Sequence, residues 1–113
     1  MTSDAGFERD VRALVALACD DLDIESPDVR FRADAFSIRV DPSGVLHVPT
    51  AGRAHHERFG NVPTDTARGL ADALKRHEMR THAKGDDPEL VEIEAMLFAE
   101  VFVRDRVLGE HER

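Results

Sequence analysis

Apolar positions recur at helical spacing from Phe7 to Leu22: Phe7, Val11, Leu14, Val15, Ala18 and Leu22 fall on one side, with Glu8, Asp10, Arg12 and Asp21 mainly on the other. The spacing predicts a first amphipathic helix. Ser26-Pro27 blocks its continuation, because proline disfavours helical geometry in the residue before it. The period then drops to two. Val29, Phe31 and Ala33 alternate with Arg30, Arg32 and Asp34, and Phe36, Ile38 and Val40 alternate with Ser37, Arg39 and Asp41. Between the two runs, across Ala33-Asp34-Ala35, the apolar phase moves from odd to even numbers, with no Gly or Asn to suit a two-residue turn; the pattern therefore predicts one long bulged strand. Asp41-Pro42-Ser43-Gly44 reads as a hairpin turn, and Val45 to Val48 as the returning strand.

A polar connection follows from Pro49 to Pro63. Thr64 or Asp65 is placed to cap a second helix reaching to about Ala83, and Gly85 to end it. Asp87 caps a third helix, with Pro88 tolerated at its first position, and this helix is expected to run to about Leu108. The expected fold class is α+β: an N-terminal helix, a small antiparallel sheet made of the bulged strand and the hairpin, and a C-terminal helical hairpin packed on that sheet. A chain of 113 residues without internal repeats or linker-like stretches fits a single domain over 1–113.

The third helix stands out. On a helical wheel Leu90, Ile93, Leu97, Val101 and Leu108 form one apolar face; Val91, Phe98 and Phe102 form another beside it; Met96, Val103 and Val107 widen the whole. A surface helix needs one such stripe. This one has to be covered from more than one direction, either by lying at the centre of the fold or by meeting another chain. The leading functional expectation is a small non-enzymatic interaction, regulatory or assembly module that self-associates through this helix, with a homodimer as the simplest form.

Composition narrows the partners. The chain carries 23 acidic and 15 basic residues, a formal charge of −8, which disfavours phosphate backbones and anionic lipid. Carboxylates at Glu89, Glu92 and Glu94 would repel DNA from the third helix if it served as a recognition helix. A protein partner, or a second copy, is expected rather than nucleic acid or membrane. Cys19, the lone cysteine, excludes an internal disulfide and a four-cysteine zinc site, and with no basic-then-apolar leader the expected location is the cytoplasm. No Gly-rich phosphate loop follows a strand, and no cofactor is expected.

The sharpest catalytic hint is His77-Glu78-Met79-Arg80-Thr81-His82, followed on the third helix by Glu92. Together these residues resemble small zinc peptidases, in which a helical His-Glu-x-x-His supplies two ligands and the base and a later Glu supplies the third ligand. The resemblance implies His77, His82 and Glu92 as metal ligands and Glu78 as general base, a zinc-dependent metallopeptidase-like alternative to the interaction module. The spacing departs from the motif. His82 stands at i+5, about 140° around a regular helix from His77, where i+4 would give about 40°; a local π-type insertion would be needed to bring both rings to one metal. His55-His56-Glu57 forms a second polar cluster, read as a solvated loop. Cys19, followed by Asp20 and Asp21, sits where thiolate is disfavoured and has a packing role.

Overall fold

The structure is a computed structural model and describes residues 3–50, 62–82 and 87–109. Helix α1 spans Ser3–Leu22, strands β1, β2 and β3 span Asp28–Arg32, Arg39–Val40 and Val45–Pro49, and helices α2 and α3 span Thr64–Thr81 and Pro88–Phe102. Helix α3 continues without a break into a π-helical turn at Val103–Val107. The α+β class and the order of elements are as expected. The capping Thr64 or Asp65 is not: Pro63 occupies the N-cap position of α2, with no side-chain cap. The predicted stop at Gly85 lies outside the described residues.

Helix α1 ends before Ser26-Pro27 is reached. Asp23 adopts a left-handed conformation (φ 59°), and Ile24 N–H donates to the Cys19 carbonyl at 3.0 Å, closing the last turn over an apolar residue. Ile24 then packs against the core.

The sheet differs from the expectation in an instructive way. It is mixed rather than antiparallel, with strand order β1-β3-β2. Strand β3 pairs antiparallel with β2 (Arg39 opposite His47) and parallel with β1 (Val29 opposite Leu46, Phe31 opposite Val48). Residues 28–40 are therefore not one bulged strand. The chain leaves β1 after Arg32, crosses to the far edge, and returns through the Asp41–Gly44 turn into the middle. The odd-to-even change of phase is absorbed by that departure: Val29 and Phe31 pack toward the core from one edge, Ile38 and Val40 from the other. Central placement suits β3, whose Leu46 and Val48 are fully buried while its neighbours' apolar side chains are less so.

The core lies between the sheet and the helices. Phe7, Val11, Leu14, Val15 and Ala18 of α1 meet Leu46 and Val48, with Leu70, Ala71 and Leu74 of α2 completing the cluster. Each large side chain buried there contributes roughly 1.5–3 kcal/mol. Phe7 meets Phe31 edge-on, with ring centroids 6.0 Å apart, and the Arg12 guanidinium lies 5.0 Å over the same Phe31 ring. Helix α2 is the middle layer, touching α1, β2 and α3, whereas α3 packs chiefly on α2. The most apolar helix thus sits at the outside of the fold.

Candidate functional site

Helix α3 begins as its sequence dictates: the Asp87 carboxylate accepts from Glu89 N–H at 3.1 Å and Leu90 N–H at 3.3 Å, and Pro88 takes the position where a missing N–H costs nothing. Its inner face is made of small residues and two larger ones: Ala95, Ala99, Phe102 and, at the start of the π turn, Val103 are buried. Alanines let the backbones of α2 and α3 approach closely. Phe98 is half-buried, stacked on Phe102 at 6.0 Å, and the Arg68–Glu100 ion pair (3.1 Å) ties the two helices at their edge.

The opposite face is apolar too. Leu90, Ile93, Met96, Leu97, Val101 and Leu108 are between 39 and 57% exposed. Leu90, Ile93, Leu97 and Val101 follow one another at three- and four-residue steps, a continuous stripe over three helical turns. The described residues place it on the outside of the helix.

The π-helical geometry enters at the end of α3 and not in α2. Leu108 N–H reaches back five residues to the Val103 carbonyl at 2.9 Å. This widened turn keeps Val107 against the core and directs Arg106 to Asp21 of α1, with Arg106 Nε at 3.2 Å from Asp21 Oδ2 and a second bond from Nη2 to Oδ1. The C-terminal end of α3 is thereby fixed to α1.

Helix α2 is regular through Thr81, so the insertion that would bring His77 and His82 together is not there. Glu78, the candidate general base, is buried and bound to its own helix: Lys75 Nζ lies 3.1 Å from Oε1 and His82 Nδ1 3.2 Å from Oε2. His82 shares a face with Glu78, at i+4. His77 points elsewhere on the helix, and burial, with Arg80 nearby, pushes its pKa below the ordinary value. Glu92 is exposed on α3. Among the described residues no three His, Cys, Asp or Glu side chains gather closely enough to hold a metal ion, so His77, His82 and Glu92 do not converge. His55, His56 and Glu57 lie outside the described residues.

Cys19 is buried, and burial pushes its thiol pKa up against the smaller opposing effect of a hydrogen bond with Ser26. The direction agrees with the sequence reading, but the first cause is burial, not Asp20 and Asp21.

One polar constellation was not anticipated. Asp41 Oδ1 accepts from Ser43 N–H (2.9 Å), Ser43 Oγ–H (2.7 Å) and Val45 N–H (3.0 Å), and Oδ2 lies 2.7 Å from His47 Nε2. The Ser43 hydroxyl, followed by His47 and the Val45 amide, holds the Asp41 carboxyl far below the usual carboxylate range. A cleft of about 420 Å³ opens beside it, lined by Arg32, Asp34, Phe36, Arg39, Asp41 and His47. Ser43 and His47 both bond to the carboxylate and not to each other, so the arrangement braces the hairpin rather than activating a hydroxyl. The Asp-x-Ser-Gly turn was visible in the sequence; the reach of His47 back to Asp41 depends on the strand register.

No helix of the described residues is long and apolar enough to cross a membrane. No protein-family model matches the chain, and neither the curated proteins nor the solved structures contain a match to it.

Proposed function

We propose that this chain is a non-enzymatic protein-interaction module that self-associates through the outer face of α3. One observation carries the reading: the fold's most apolar helix turns its alanines inward and leaves Leu90, Ile93, Leu97 and Val101 as an exposed stripe. Contiguous apolar surface of this kind marks association sites, and a closed two-fold dimer is the simplest assembly that covers it.

Magnitudes set the expected strength. Finishing the burial of these half-exposed side chains on two copies offers on the order of 10 kcal/mol, against about 4–15 kcal/mol for lost translational and rotational freedom. The dimer is accordingly reversible and concentration-dependent. Sedimentation equilibrium over a wide dilution series should show a monomer–dimer equilibrium. Val101→Asp, which sets a charge in the stripe, should weaken it at least tenfold while leaving the circular dichroism spectrum unchanged. A wild-type mass that stays monomeric at every concentration would sink the proposal.

A further inference from the structure

We draw no further inference here: the strongest candidate, the exposed apolar stripe of Leu90, Ile93, Leu97 and Val101 on the outer face of α3, belongs to the site already described, and nothing in the structure shows the orientation or register of what covers it.

Discussion

Asp41 concentrates more interactions than any other carboxylate described above. With three donors on Oδ1 and His47 on Oδ2, its charged form is stabilised in the folded state, and its pKa is lowered relative to the unfolded chain. A depressed folded pKa contributes stability that is present in full above the unfolded value of about 3.9 and is lost as pH falls below it. Asp41→Asn removes the titrating group but keeps an oxygen acceptor. Its acid-unfolding limb should therefore be flatter than wild type below about pH 4, where the wild type binds a proton on unfolding. Chemical denaturation at a series of acidic pH values reads this directly; superimposable limbs would mean that the hairpin's stability does not depend on the Asp41 charge. Glu78 is the contrasting case. Its position between Lys75 and His82 makes it a helix-stabilising group, which is why a motif that looked catalytic in one dimension has no catalytic geometry in three.

At the scale of elements, the inner face of α3 is the one that hydrophobicity alone would not choose. Ala95 and Ala99 are buried while Leu97 and Ile93 are not. Ala99→Leu should overpack the α2–α3 contact and cost about 1–3 kcal/mol, whereas Leu97→Ala should change monomer stability by no more than about 0.5 kcal/mol. Urea unfolding at concentrations low enough to hold the monomer distinguishes the two; the reverse ranking would mean that the helix faces the other way. Much of the fold was legible. Periodicity placed all three helices, Asp87-Pro88 fixed the start of α3, and Asp41–Gly44 fixed the turn, because each is set by local backbone chemistry. What local chemistry does not encode was missed. The parallel pairing of β1 with β3 joins residues that are distant along the chain, so alternation that looked like one bulged strand became two edges of a sheet. The orientation of α3 likewise depends on what α2 presents to it. The His77/His82 spacing, by contrast, was a correct warning: an i+5 pair stays apart on a regular helix.

For the whole molecule, the formal charge of −8 acts against the association that the α3 stripe favours. Treated as point charges roughly 25 Å apart, about the spacing of two domains this size, two such copies repel by on the order of 10 kcal/mol in unscreened water. Screening reduces this to about 5 kcal/mol at 0.01 M salt and below about 1 kcal/mol at 0.15 M. The opposing term is any exposed ion pair formed between the copies, worth about 0–1 kcal/mol each, which salt weakens in the other direction. Net repulsion is the larger quantity, so added salt should tighten the dimer between about 0.01 and 0.15 M, after which the dependence should level off. Sedimentation equilibrium at the two salt concentrations measures the effect. Val101→Asp supplies the control, since a variant that stays monomeric should show no change in mass with salt. An affinity that falls steadily with salt would show the opposite balance, with local ion pairs rather than the apolar stripe holding the two copies together.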